Sequence, residues 1–255
     1  MKKMGIKTLL AVSFMAISLG ACSTTGGVNS GDVINDPLEP MNRVVFGFND
    51  VLDKVLIEPL AKGYKAVLPD VVQDSVQSFM RNIKTPLTLA NNLLQGNFES
   101  AGRTTARFLM NTVLGVGGLN DFAASQGLQY EAADFGQTLA RWGVESGPYL
   151  VLPILGPSTF RETAGLAVDT IADPVRIVTN NTDNDWIYYS RAALQGIDTR
   201  SRLIEVTDDL RANNLDYYTA TKSTYIQNRM KMINDGRILD GKKSEAYMPN
   251  YDEVQ

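Results

Sequence analysis

Asp36-Pro37-Leu38-Glu39-Pro40-Met41-Asn42-Arg43-Val44-Val45-Phe46-Gly47-Phe48-Asn49-Asp50-Val51-Leu52-Asp53-Lys54-Val55 carries the main structural signal of this 255-residue chain. Leu38, Met41, Val45, Phe48, Leu52 and Val55 recur every three or four residues, with Glu39, Asn42, Arg43 and Asp53 between them. That spacing puts one apolar face on an α-helix. Asp36 suits the N-cap and Pro37 the first helical position. The period continues downstream. Asp70 is placed to cap a helix carrying Val72, Val76, Phe79 and Ile83, and a third segment follows Pro86 through Leu87, Ala90 and Leu94. A fourth runs from Phe98 through Ala101, Thr105, Phe108 and Leu109 to Val113. Later helices are read at Asp185 to Leu194, Gly196 to Leu210 and Asp216 to Asn234. In the last, Tyr217, Ala220, Tyr225, Met230 and Ile233 share roughly one face, with Lys222, Arg229 and Lys231 at polar positions. The expected fold is all-α: one helical domain over residues 36–234, followed by a polar tail over 235–255.

Two stretches break the pattern. Leu114-Gly115-Val116-Gly117-Gly118-Leu119 packs three glycines into four positions, which suits a tight turn or a hinge. It lacks both G-x-G-x-x-G and the Lys-Ser/Thr of a P-loop, so a mobile apolar loop is preferred to a phosphate cradle. Gly147-Pro148-Tyr149-Leu150-Val151-Leu152-Pro153-Ile154-Leu155-Gly156-Pro157 is apolar, yet its three prolines forbid a regular helix and leave strand pairing only at its edges. Ser158 or Thr159 then caps the next helix.

Composition removes whole classes of chemistry. With one cysteine and no histidine there is no Ser-His-Asp triad, Cys-His pair, intramolecular disulfide or His/Cys zinc site. No catalytic residue or metal ligand is assigned. Residues 1–21 read as a signal peptide: a basic start at Lys2, Lys3 and Lys7, an apolar run from Thr8 to Leu19, then Leu19-Gly20-Ala21-Cys22. That ending resembles a lipobox, making Cys22 the acylated first residue of the mature chain, with covalent diacylglycerol and N-acyl lipid as its only added group. Acyl chains at about 0.8 kcal/mol per buried CH₂ would hold it in a membrane permanently. Ser23 in place of aspartate resembles an outer-membrane sorting signal. Residues 22–35, rich in Ser, Thr, Gly and Asn, read as a flexible tether. Without Lys2, Lys3 and Lys7 the chain carries 21 basic against 28 acidic residues, which argues against nucleic acid as a partner. No apolar run after Cys22 reaches 18 residues, so no transmembrane helix is expected. The amphipathic helices could meet face to face in a soluble bundle or turn apolar faces into lipid.

Four blocks, taken in order, resemble the MlaA (VacJ) family of outer-membrane lipoproteins. They are Asp36-Pro37-Leu38-Glu39-Pro40-Met41-Asn42-Arg43 with Phe46-Gly47-Phe48-Asn49; Arg107-Phe108-Leu109-Met110-Asn111-Thr112 running into the glycine loop; Gly147-Pro148-Tyr149 with Leu152-Pro153, Gly156 and Arg161-Glu162; and Gly196-Ile197-Asp198-Thr199-Arg200. The resemblance fades from about Asn213. It implies a ring-like protein of amphipathic helices lying in the plane of the inner leaflet and associated with a trimeric porin. A polar channel would pass stray phospholipid to a periplasmic carrier of the MlaC type, preserving lipid asymmetry with no enzymatic step. It also implies that some apolar faces meet lipid, and that the loop from Asn111 to Gln126, with Gly115, Gly117 and Gly118 and with Gly143 nearby, is a gate; Gly117→Pro is expected to stiffen it without unfolding the protein. Asn42, Arg43 and Asn49 are polar within an apolar-periodic helix, and a solvated outer face explains them equally well. Two rivals remain: a porin-bound structural lipoprotein that moves no lipid, and a hydrolase using paired carboxylates.

Overall fold

Helices account for nearly all regular structure in the computed structural model, which describes residues 36–238. The signal peptide, Cys22, the tether and the tail beyond Ile238 lie outside the described residues. Helix α1 (Glu39–Leu52) has Pro40 in its first turn and no side-chain cap. Asp36 is therefore not the cap the sequence suggests; its carboxylate is committed elsewhere, as described below. A π-helical turn, Asp53–Ile57, joins α1 to α2 (Glu58–Val67). There the Glu58 N–H reaches back five residues to the Asp53 carbonyl, just before Pro59, which has no N–H to give.

Helix α3 (Asp70–Leu94) is 25 residues long and passes through Pro86 unbroken, where two helices were expected. Pro86 only deprives the Asn82 carbonyl of a donor, and packing along α4 (Phe98–Val113) outweighs that loss. Asp70 lies in the first turn but makes no cap; the Pro69 carbonyl receives the N–H groups of Val72 and Gln73 instead. Asn97 caps α4 by accepting from the Ser100 N–H at 3.0 Å. Asp121 and Asp134 cap the short helices α5 (Phe122–Ser125) and α6 (Phe135–Arg141) in the same way.

The proline-rich segment forms a hairpin, the one departure from an all-α chain among the described residues. β1 (Tyr149–Leu152) pairs antiparallel with β2 (Gly156–Thr159), Tyr149 opposite Thr159 and Leu152 opposite Gly156. Pro148 and Pro153 bracket β1, and Pro157 sits in the two-stranded edge where a missing donor is tolerated. Thr159 caps α7 (Phe160–Ile171), as expected, accepting from the Glu162 N–H. Asp173 caps α8 (Pro174–Asn181), followed by α9 (Asp185–Arg202), α10 (Ile204–Asn213) and α11 (Tyr217–Ile238). Helix α9 runs through Gly196 without the expected break. Helices α6 and α7 cross at a glycine contact: a Cβ on Gly165 would lie 2.3 Å from the Gly136 nitrogen.

A small aromatic core holds the hairpin between the ends of the described chain. Tyr149, Val151 and Tyr218 are buried together, with Val45, Phe46 and Tyr225 packed around them. The Phe46 and Tyr218 rings meet edge to face at 5.4 Å. In α11 the inward face is Tyr218, Lys222, Tyr225 and Arg229, so two of the basic residues at polar positions point inward. Carboxylates decide this. Lys222 meets Asp36 at 3.1 Å, and Arg229 pairs with Asp134 and Glu162.

Candidate functional site

Away from that aromatic core, the distribution of polarity is reversed. Among the described residues the buried set holds nine apolar side chains, five of them alanines, against twenty-one polar or charged ones. Thirty-five large apolar side chains are exposed. A water-soluble domain of this size places its large apolar groups inside, and contiguous exposed apolar surface marks a lipid or partner contact.

Helix α4 shows the inversion residue by residue. Ser100, Thr104, Arg107 and Asn111 recur at helical spacing and are all buried. On the opposite face Phe98 is 74% exposed, Leu109 57% and Val113 75%. The helix is amphipathic, with its polar side turned in. Helix α3 supplies the matching surface: Asn82 donates to Thr112 Oγ1 at 3.1 Å and Asn92 to Thr104 Oγ1 at 3.0 Å. Further along, Asn91 donates to Asp169 Oδ1 at 3.0 Å and accepts from Thr138 Oγ1 at 2.9 Å. The Phe135 N–H closes that cluster on Asp169 Oδ2 at 2.9 Å. Burial pushes the Asp169 carboxyl above the usual carboxylate range. These contacts make a continuous hydrogen-bonded polar wall of α3, α4, α6 and α7.

The motif positions at the start of the chain act as fasteners. Asn42 is 0% exposed, not on a solvated face. Its amide donates to the Tyr149 carbonyl at 3.0 Å and accepts from the Val151 N–H at 2.9 Å, so a side chain occupies the place of a neighbouring strand. Asn49, two turns on, does the same for the Leu152 carbonyl and the Ile154 N–H. Asn42 also donates to Asp36, which accepts from the Tyr218 hydroxyl and Lys222. Burial opposes the Asp36 charge, but those hydrogen bonds and Lys222 hold its carboxyl below the usual range. Arg43 forks onto Asp216 and stacks over Tyr218 at 4.4 Å. Pro37 lies in the turn closed by the Glu39 N–H on the Asp36 carbonyl. Gly147 (φ 66°) passes against Phe160, Gly156 (φ 82°) closes the hairpin turn, and Pro148 offers its carbonyl to the Phe160 N–H. Arg161 ties the preceding loop through the Val144 carbonyl.

The glycine loop is a closed turn. The Gly117 N–H donates to the Thr112 carbonyl at 3.0 Å and the Gly118 N–H to the Asn111 carbonyl at 2.8 Å. Gly115 and Gly118 have no room for a side chain, against the Asn111 and Asn120 carbonyls and against Asn82 respectively. Gly117 has open space but a φ of 69° and a used N–H. Proline cannot adopt that geometry, so Gly117→Pro would break the turn, contrary to the expectation that it would only stiffen it. The base of the loop is bolted by Arg107, which forks onto Asp121, and by Asn111, which accepts from the Ala123 N–H. Leu114, Val116 and Leu119 stand exposed at its tip. Gly143 (φ 86°) ends α6, its N–H on the Ala140 carbonyl and the Val144 N–H on the Leu139 carbonyl.

Sequence reading missed a second fastener. Asp53, in the π-helical turn, takes both Arg200 and Arg211, which also reach Glu58 and Asp50. Burial disfavours the Asp53 charge, and the two arginines more than compensate, leaving its carboxyl below the usual range. Its signal was the Gly196-Arg200 block, whose role is to bring Arg200 back to the first helices. Among the described residues no helix is long and apolar enough to cross a membrane, and no cluster of three carboxylates could hold a metal ion.

Residues 34–232 match the family model described as MlaA lipoprotein. An uncharacterised protein of Rickettsia prowazekii is 40% identical over 201 residues, covering 78% of each chain. The intermembrane phospholipid transport system lipoprotein MlaA of Haemophilus influenzae is 32% identical, covering 94% of this chain and 96% of that one. Its Escherichia coli counterpart is 29% identical over 90% of both. A solved structure described as the structural basis for maintenance of bacterial outer membrane lipid asymmetry superposes with a TM-score of 0.69 at 32% identity, covering 78% of this chain and all of that one.

Proposed function

Because the chain belongs to the MlaA lipoprotein family, we propose that it removes phospholipids that have strayed to the outer leaflet of the outer membrane and passes them toward the periplasm. The observation that carries this reading is the polar wall beneath an apolar skin. A phospholipid headgroup does not cross hydrocarbon cheaply, whereas its tails are at home there. Ser, Thr, Asn and Arg of α3 and α4 are gathered inside, where a headgroup could travel if the wall opens, and exposed Phe98, Leu109 and Val113 face acyl chains. No bond need form or break, and a misplaced lipid can move downhill to a carrier.

In this reading Cys22 carries the acyl anchor, the protein sits in the inner leaflet facing the periplasm, and its partners are phospholipid, a trimeric porin and a periplasmic carrier of the MlaC type. The glycine loop with its apolar tip is the gate beside the polar wall. Gly117→Ala tests the gate with less damage than proline: the left-handed backbone costs about 1 kcal/mol, and surface phospholipid should change while helicity does not. Unaltered lipid asymmetry in that variant removes the gating role.

The decisive experiment scores phospholipid at the cell surface with a reagent that cannot enter, in cells lacking the gene and in cells given it back. Surface phospholipid should rise on deletion and fall only when Cys22 is intact. No change on deletion would leave a structural, porin-bound lipoprotein as the better account.

A further inference from the structure

Among the described residues, three that are not glycine hold a left-handed backbone: Val116 (φ 54°), Ile154 (φ 69°) and Asp183 (φ 54°). Asp183 is ordinary, since a short polar side chain tolerates that conformation in a turn. Val116 and Ile154 are not. A branched Cβ crowds the backbone there, and glycine adopts the same angles without strain. Val116 is 72% exposed in the glycine loop, and Ile154 66% exposed at the tip of the β-hairpin. Burial within the chain therefore does not offset the strain of either.

The two turns are suited to hydrocarbon. The chain carries no charge from Phe108 to Asn120, nor from Ser146 to Phe160. Leu114 and Leu119 stand exposed beside Val116, and Leu155 beside Ile154. The tips hold aliphatic residues, glycine and proline, without the aromatic and arginine side chains that anchor protein interfaces. The loop around Val116 also continues the exposed face of α4 that carries Leu109 and Val113. Backbone donors at the tips are already used. Gly117 and Gly118 donate within their own loop, and the Ile154 N–H donates to Asn49 Oδ1 at 2.8 Å, an acceptor brought in from α1. A turn in water needs no such acceptor, whereas a turn in hydrocarbon has no solvent to supply one.

We propose that the two turns are insertion tips, with Val116 and Ile154 entering the hydrocarbon of a lipid bilayer. The strained backbone keeps an aliphatic side chain at a position where glycine would leave none, and transfer of that side chain from water into acyl chains offsets the strain. This rests on the membrane placement in the reading above and not on the transfer of phospholipid.

The test uses the full-length acylated protein in vesicles of phosphatidylethanolamine and phosphatidylglycerol. Cys22 is the chain's one cysteine, so after acylation an introduced cysteine is the only free thiol. A nitroxide is attached at Val116→Cys, Ile154→Cys or Asp183→Cys. Its collisions with oxygen, which concentrates in hydrocarbon, are compared with those of a water-soluble nickel chelate. Oxygen should dominate at positions 116 and 154 and the chelate at 183. A second measurement separates strain from insertion. With Cys22 replaced by serine, Ile154→Gly should weaken vesicle binding about tenfold, the scale of one aliphatic side chain withdrawn from hydrocarbon. Its denaturant midpoint in vesicle-free buffer should hold or rise. Chelate-dominated collisions at either tip, exclusion of both reagents as in a contact between proteins, or unchanged vesicle binding by Ile154→Gly overturns the insertion tips. A lower midpoint does so as well, because the fold itself would then hold the side chain. If surface phospholipid still rises when the gene is deleted, such a failure leaves the transfer reading standing. If deletion leaves surface phospholipid unmoved, the transfer reading falls even where both tips lie in hydrocarbon.

Discussion

The aromatic core around Tyr149 and the polar wall along α4 are built on opposite plans. In the first, Phe46, Tyr149, Tyr218 and Tyr225 bury rings against one another, as in a protein folded in water. In the second, Ser, Thr, Asn and Arg are inside and Phe98, Leu109 and Val113 outside. The first is stabilised by removing apolar surface from water. The second is held by hydrogen bonds whose value rises because little water is near to replace them. One chain carries both plans, an apolar interior at one place and a polar interior under exposed apolar side chains at the other.

Truncation of the aromatic core should give the largest loss of stability. Tyr149→Ala should cost about 3–5 kcal/mol, the range for emptying a buried ring site, read as a lower denaturant midpoint at constant helicity of the folded baseline. A loss under a third of that would mean the core is not what clasps the two ends.

In the polar wall a more hydrophobic residue should destabilise. Asn91→Leu leaves Asp169 Oδ1 without its donor and removes one of the two acceptors of Thr138, at about 1–3 kcal/mol for a buried group left without its partner. A neutral or stabilising result would show the wall to be ordinary core, and the contrast between the two regions would vanish.

Acid separates two kinds of carboxylate. Asp53 and Asp134 lie below their ordinary range because arginines outweigh the burial that opposes their charge. Each folded group binds fewer protons than its unfolded counterpart, so its contribution is complete above the unfolded value and is lost as pH falls through the folded one. Asp169, held above its ordinary range by burial, runs the other way and loses its contribution as pH rises through its folded value. Asp53→Asn should therefore flatten the acid limb of a stability–pH curve, and Asp169→Asn should not. An acid limb unchanged in Asp53→Asn would remove the arginine clasp from the account.

On the outer skin the effect on folding should be smallest. Leu109→Asn should alter stability by no more than about 0.5 kcal/mol, as exposed positions do, while lowering recovery of the protein with membranes once Cys22 is replaced by serine. Equal membrane recovery would mean that this face does not meet lipid.

How much of this was legible follows from the range of each interaction. The helix of α4, the break at the glycines and the Thr159 cap were readable because each rests on a few adjacent residues. Pro86 and Gly196 misled, since both are tolerated inside helices that long-range packing holds. Asn42 and Asn49 were noticed as polar residues on an apolar-periodic helix, but nothing local says that their amides pair with a strand more than a hundred residues away. Lys222 and Arg229 were legible only as polar positions off the apolar face, and it is the carboxylates of Asp36, Asp134 and Glu162 that turn them in.

The sequence by itself determined that the chain is helical, that it breaks at the glycine loop and the proline-rich segment, and to which family it belongs, because hydrogen bonds along a helix and turns at glycine are local. Only the tertiary structure decided which face of each helix is inside. An amphipathic helix has the same period whether its apolar side meets a core or a bilayer. The choice lies with the surrounding medium: where acyl chains cover the outside, apolar faces gain nothing by turning inward, and the polar groups must find one another.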